Sequence, residues 1–264
     1  MNFTLAAGLL ASAVALGWAA FGGAGSGALL NLHGIGIVLG GLVLASLTNY
    51  PISQAVRVGR RIVELVLPSA LPTPAQVTTE VVRLSRKAKA EGGLLSLQGE
   101  GAGFAGGFLE KALTVAIAAA ESVETRRILE TEIRQLRITR QEDGNYLRTM
   151  GTLAPMFGLL GTLLGMIEVL SRLSDPSKVG PAMALALSSA FLGIALANIV
   201  CVPLAGHMRV AAMEETLVLE MILEGVLDLA ASKPPYLVEM HLSAYSRRFD
   251  EASVSARVAP EPAA

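Results

Sequence analysis

Charge is what this sequence has least of. Only 16% of its 264 residues are Asp, Glu, Lys or Arg, against about 25% in a soluble protein of ordinary composition. Hydrophobic residues reach 52% and the mean hydropathy is +0.55, so the shortage points to lipid before any motif is read. A net charge of −1 leaves no basic surface of the kind that holds nucleic acid. One cysteine, Cys201, excludes an intrachain disulfide, and its place in an uncharged run makes it a small packing residue. The three histidines, His33, His207 and His241, fall in separate segments with no metal-ligand spacing. No GxxxxGKS or GxxxxGKT occurs. GAGFAG at 101–106 has the form GxGxxG, but no strand precedes it and no βαβ unit surrounds it, so it reads as a flexible turn. Ser, His and Asp occur without a nucleophile-elbow setting. Enzyme chemistry, a cofactor and a metal site are therefore not expected.

What is present is a set of long uncharged runs. A bilayer core of about 30 Å takes about 20 apolar residues as helix. Four segments qualify: 3–22, roughly 33–50, roughly 149–170 and 181–206. The first lacks the positive leading region of a signal peptide and is followed closely by a second run, so it reads as a retained helix. Arg57, Arg60, Arg61, Arg83, Arg86, Lys87 and Lys89 follow the second run, and Arg209 follows the fourth. The break at 23–32 has no charge; that at 171–180 carries Arg172 and Lys178 against Asp175. By the excess of Lys and Arg on the inner side, both termini and the stretch 51–147 are expected in the cytoplasm.

The expected fold is thus all-α, an integral membrane protein with four transmembrane helices and a helical cytoplasmic domain. Residues 1–50 hold the first two spans, 51–147 the cytoplasmic loop domain, 148–207 the second pair of spans, and 208–264 further helices and a disordered tail. Within the loop, VRVGRRIVELVL continues amphipathically from the second span until LPSALPTP breaks it. A basic-sided helix follows at 75–92, then a flexible loop at 99–107. One long helix is expected from Phe108 to Arg148, with Glu and Arg three or four apart, running into the third span.

The last two spans carry small residues at four-residue spacing, as in GTLLG (Gly161, Gly165) and GIALA (Gly193, Ala197), which let helices approach closely in lipid. Thr162 is the one polar side chain deep in the third span, ~12 Å from its outer end at 1.5 Å per residue. Ala190 lies ~13 Å from the outer end of the fourth, beside Ser188 and Ser189. Thr162 either bonds its own backbone or lines an ion route. No carboxylate occurs between Met150 and Ile167 or between Pro181 and His207. Since acids within a membrane mark proton and cation routes, any ion-carrying acid would come from another chain.

The string GTLAPMFGLLGTLLGMIEVLSRLSDPSKVGPAMALALSSAFLGIALANIVCVPLAG resembles the MotA family of flagellar stator A subunits, MotA and PomA, within the MotA/TolQ/ExbB group. KPPYLVEMHLSAY, near the C-terminus, is similar to a further family segment. The resemblance implies a pentamer of A subunits around the helices of two MotB-type B subunits, whose membrane Asp takes up the ion. It also implies that ion flow turns the ring while the cytoplasmic loop pushes on the rotor protein FliG.

Residue by residue, the family's two prolines match Pro155 and Pro203, which the resemblance makes coupling hinges. Thr162 matches the hydroxyl facing the ion path. Ala190 stands where sodium-driven members have a threonine, so with Ser189 as the neighbouring polar position the expected ion is H⁺, with Na⁺ the alternative. The family's rotor-facing Glu is replaced by Gln98 and its basic partner by Ala90, leaving Arg86, Lys87, Lys89 and Glu100 as substitutes. That departure leaves two cargoes open: the flagellar rotor, or a non-flagellar target of an ExbB- or TolQ-like envelope energiser.

Overall fold

A computed structural model describes Gly8, Ala11, Val14 and residues 32–66, 71–119 and 121–245. Every regular element among these residues is helical. The chain divides into two compact units, one of residues 1–68 and 142–208 and one of residues 69–141 and 209–264. The expected first span lies outside the described residues apart from Gly8, Ala11 and Val14, as does the expected tail. Three described helical stretches are long and apolar enough to cross a membrane.

The first unit holds α1 (Leu32–Asn49), α2 (Ile52–Val66), the later part of α5 (Ser122–Ser171), α6 (Pro176–Ala195) and the start of α7 (Val202–Ala230). α1 is apolar on every side, yet only the row Gly34, Val38, Leu42 and Ser46 is buried. Leu39, Val43, Leu44 and Leu47 stay exposed. A helix apolar all round with one row packed presents the rest of its surface to lipid or to other chains. The break before α2 falls at Tyr50–Pro51, where proline restricts the residue ahead of it. Val38 and Leu42 pack with Met150, Ala154, Ala197 and Cys201 into one cluster.

The second unit holds α3 (Pro74–Glu91), α4 (Phe108–Ala119), the first part of α5, most of α7 and a last helical stretch at 235–245. α3 starts on a capping box: the Gln76 backbone N–H donates to Thr73 Oγ1 at 3.4 Å and the Thr73 N–H donates to Gln76 Oε1 at 2.8 Å. It ends on Gly92 in the left-handed region, φ 96°. Leu84, Leu97, Leu109, Leu113, Leu129, Ile222 and Leu242 form the centre of its core. Arg126 and Arg140 of α5 each grip a carboxylate of α7, Glu224 and Glu215, through two hydrogen bonds.

Two expectations for this unit are corrected. The single helix from Phe108 is two, with α4 ending at Ala119 and α5 starting at Ser122. The buried row of α4 (Leu109, Ala112, Leu113, Ala116) and that of α5 (Leu129, Ile133) enter the same core. From Ala116 to Leu129 a straight helix would turn about 220° beyond its whole turns, carrying the second row away from that core. The stretch expected as a flexible loop is a packed turn: Phe104 lies against the core, and Ala105 takes φ 50°. At Gly101 (φ 77°) a Cβ would come within 2.7 Å of the Leu109 side chain.

Candidate functional site

The α5–α6 seam rests on glycine. On α5 the buried row runs Leu147, Met150, Ala154, Gly158, Gly161 and Gly165; on α6 it runs Ala182, Ala186, Ser189 and Gly193. A Cβ on Gly193 would lie 2.6 Å from the Ala154 carbonyl oxygen, and one on Gly158 2.9 Å from that of Ser189. One on Gly165 would lie 2.8 Å from the Ala186 nitrogen. These neighbours are backbone and have no rotamer to give. Close approach of this kind replaces the missing hydrophobic drive between helices in lipid with dispersion contact. The outward side of α5 carries Met156, Leu159, Leu163 and Ile167, all exposed.

Pro155 lies in the seam, and Pro203 follows it at the start of α7. Pro155 sits inside α5, which continues through it. Proline supplies no N–H and crowds the carbonyl four residues back, here that of Gly151. A Cβ on Gly151 would lie 3.2 Å from Cys201 Cβ and 3.5 Å from Val202 Cγ2, so the freed turn of α5 faces the residues just ahead of Pro203. Those residues, Leu196–Cys201, form a π turn, and the Val202 N–H reaches back to the Ala197 carbonyl. The widened turn absorbs the donor lost at Pro203. The Asn198 side chain donates to the Ile194 carbonyl at 3.0 Å. π turns inside α-helices recur at functional sites. The proline at 203 signals a disturbed helix, but its resolution as a π turn is not legible in the sequence.

The hydroxyls of the seam bond their own helices. Thr162 Oγ1 donates to the Leu159 carbonyl at 2.6 Å, three residues back rather than four. Ser188 Oγ donates to the Leu185 carbonyl at 3.1 Å, and Ser189 Oγ lies 2.9 Å from the carbonyls of Leu185 and Ala186. Ser189 is fully enclosed. A Cβ on Gly161 would come within 2.5 Å of its hydroxyl, and one on Gly34 of α1 within 3.5 Å of its Cβ. Ser188 and Ser189 thus sit where α1, α5 and α6 meet. Thr162, Ala190, Pro155 and Pro203 are half-buried and keep one side open. Ala190 lies against Gly158, one helical turn before Thr162. Among the described residues no group of His, Cys, Asp and Glu is arranged to hold a metal.

The five charged-loop candidates are in the second unit. Lys87 Nζ donates to Glu100 Oε1 at 2.7 Å, and Arg83 Nη2 donates to Glu100 Oε2 at 2.8 Å and to Glu80 at 2.7 Å. The sequence does not single out Arg83, because its link to Glu100 depends on the packed turn. Arg86, Lys89 and Gln98 are exposed. The hydrogen bonds from Arg83 and then Lys87 lower the Glu100 carboxyl from 4.5 to about 2. Because the folded group titrates below the free one, the network supports the turn at any pH above about 4.5 and that support is lost as pH falls toward 2. Hydrogen exchange in 93–107, corrected for intrinsic rates, is expected to rise over that window, and Glu100→Gln to remove the acid-dependent rise. An acid-dependent rise of equal size in the variant would contradict it.

Glycine-built contact between apolar helices, a proline-freed turn of α5 facing the residues ahead of Pro203, and no acid from Met150 to Ile167 or from Pro181 to His207 define a helical membrane protein. The model of the MotA/TolQ/ExbB proton channel family matches residues 102–221. Motility protein A of Borreliella burgdorferi is 30% identical over 181 residues, 69% of each chain. Chemotaxis protein PomA of Vibrio alginolyticus is 26% identical over 223 residues, 84% of this chain and 87% of that one. The chain belongs to the MotA/TolQ/ExbB proton channel family, on its motility protein A side, a family of channel and stator proteins rather than enzymes. Its fold is also that of a chain in the flagellar MotAB stator complex from Bacillus subtilis, with a TM-score of 0.80 at 24% identity, covering 94% of this chain and 97% of that one.

Proposed function

We propose that this chain is the A subunit of an ion-driven rotary stator in the bacterial inner membrane, coupling proton flow to torque on the flagellar rotor. The observation that carries the reading is the α5–α6 seam: Pro155 and Pro203 disturb facing turns while Thr162 and Ala190 keep an open side, and no acid lies between Met150 and Ile167 or between Pro181 and His207. The missing carboxylate is supplied by the Asp of a MotB-type single-span partner, with five A subunits around two B helices. Termini and loop lie in the cytoplasm, with FliG as the rotor protein. The Bacillus subtilis chain of like fold works within a flagellar MotAB stator complex, which supports that partnership.

The proton is favoured because oxygen ligands are scarce. A sodium ion takes several; here Ser189 is enclosed, Ala190 has none, and Thr162 offers one hydroxyl. The driving force is about 2.3 kcal/mol per charge per 100 mV. Motor speed in cells carrying this chain and its partner is expected to be unchanged when sodium is replaced by potassium at constant pH. Stopping under potassium would overturn the proton assignment.

Gln98 in place of the family's rotor-facing Glu favours a second reading, a non-flagellar motor or ExbB- or TolQ-like energiser on the same seam. Restored swimming in a strain lacking its own stator A subunit supports the flagellar cargo; ion flux with no swimming supports the second reading.

A further inference from the structure

A row of polar contacts joins α1 and α2 to α5 where the apolar runs end. Ser46 Oγ lies 2.6 Å from Tyr146 Oη, and Tyr50 Oη 2.8 Å from Thr149 Oγ1. The two tyrosine rings are 5.0 Å apart, tilted at 58°. Gln54 Nε2 donates to the Glu142 carbonyl at 3.2 Å. The row ends on Arg57, whose Nε donates to Asp143 Oδ1 at 2.7 Å. Every one of these residues lies in the first unit.

Asp143 stands out within the row. It is completely buried, and its Oδ2 has no hydrogen-bond partner. A buried carboxylate held by one arginine and left with an idle oxygen is a poor way to gain stability, since desolvation offsets most of the attraction. Such pairs are better suited to fixing one arrangement among several. Within the first unit, Asp143 begins the buried row of α5 that continues through Leu147, Met150 and Ala154 to Gly158 and Gly161. Gripping α5 there fixes its rotation about its own axis. One residue of slip would turn the helix by about 100° and carry Thr162 and Pro155 off their side of the seam. The grip lies twelve positions before Pro155, on the far side of the proline turn from Thr162.

We propose that Asp143, held by Arg57, is a positioning residue for torque: it clamps α5 to α2 on one side of the Pro155 turn, so that movement at the seam travels along α5 instead of being lost as rotation of the helix. The inference rests on the stator reading above. The clamp acts on transmission and leaves ion conduction intact.

The experiment uses the full chain with its single-span partner. Asp143→Ala and Arg57→Ala are each expected to keep ion flux within about twofold of wild type while torque falls at least about tenfold. The double variant is expected to be no worse than either single, and Arg57→Lys, which keeps the charge, to recover part of the torque. Where Asp143→Ala fails to assemble, Asp143→Asn, which keeps the shape, is read in its place with the same expectation. Wild-type torque, flux falling in step with torque, or additive losses would each overturn the proposal. Spin labels at the exposed Ser53 and Asn145, in a Cys201→Ser background, report the clamp without any motor activity. The distance distribution is expected to broaden in Asp143→Asn, and an unchanged distribution contradicts the clamp even where the stator reading itself has failed.

Discussion

Gly193→Leu is expected to abolish assembly of the membrane unit. A first side-chain carbon at 193 meets the Ala154 carbonyl oxygen at 2.6 Å and Gly158 Cα at 3.0 Å, and the remaining carbons of leucine have nowhere to go but between the helices. Overpacking a core costs typically 1–3 kcal/mol, and here the obstructing atoms are backbone, so α5 and α6 must separate. The yield of detergent-extracted complex is expected to fall at least about tenfold. Gly206→Ala is the control, since a carbon added there meets nothing within 4 Å, and it is expected to match wild type. Normal yield for Gly193→Leu would mean that the seam is not the packing surface described.

Thr162→Val is expected to leave assembly intact and cut ion flux at least about tenfold. Valine has nearly the shape of threonine, and the hydroxyl lost is bonded only to its own helix, at the Leu159 carbonyl. Such a bond joins no second helix, and even hydrogen bonds between membrane helices add only about 0.6 kcal/mol on average. Among the described residues, what disappears is the one side-chain oxygen on the half-open side of the seam at that depth. Thr162→Ser, which keeps the oxygen, is expected to restore most of the flux. Equal flux in the valine variant would remove Thr162 from the ion path.

The seam was legible in the sequence because its logic is compositional. Long uncharged runs, GxxxG spacings and the absence of acids from their interiors are read directly from residue types, and the prolines mark their own disturbance. The Arg57–Asp143 clamp was not legible. Arg57 and Asp143 are 86 positions apart, and each looks like an ordinary surface charge on an amphipathic helix. Only the pairing of α2 with α5 buries one of them. The same holds for Arg83, whose bond to Glu100 waits on the turn that Gly101 and Ala105 make. Ser189 shows the reverse case: beside Ala190 it reads as a polar lining, but one residue along a helix is about 100° around it, and that rotation places it among α1, α5 and α6. The break between α4 and α5 was hidden because Ala and Ser tolerate helix, and the phase shift of the apolar rows shows only once both are seen to share one core.

The stator reading stands or falls on whether this chain builds half of an ion path and takes its acid from elsewhere. The decisive experiment is proton flux into vesicles containing the chain and a single-span partner with a membrane Asp. Flux is expected with the Asp partner, and none above background with the chain alone or with that Asp changed to Asn. Flux from the chain alone, or undiminished flux with the Asn partner, would overturn the reading.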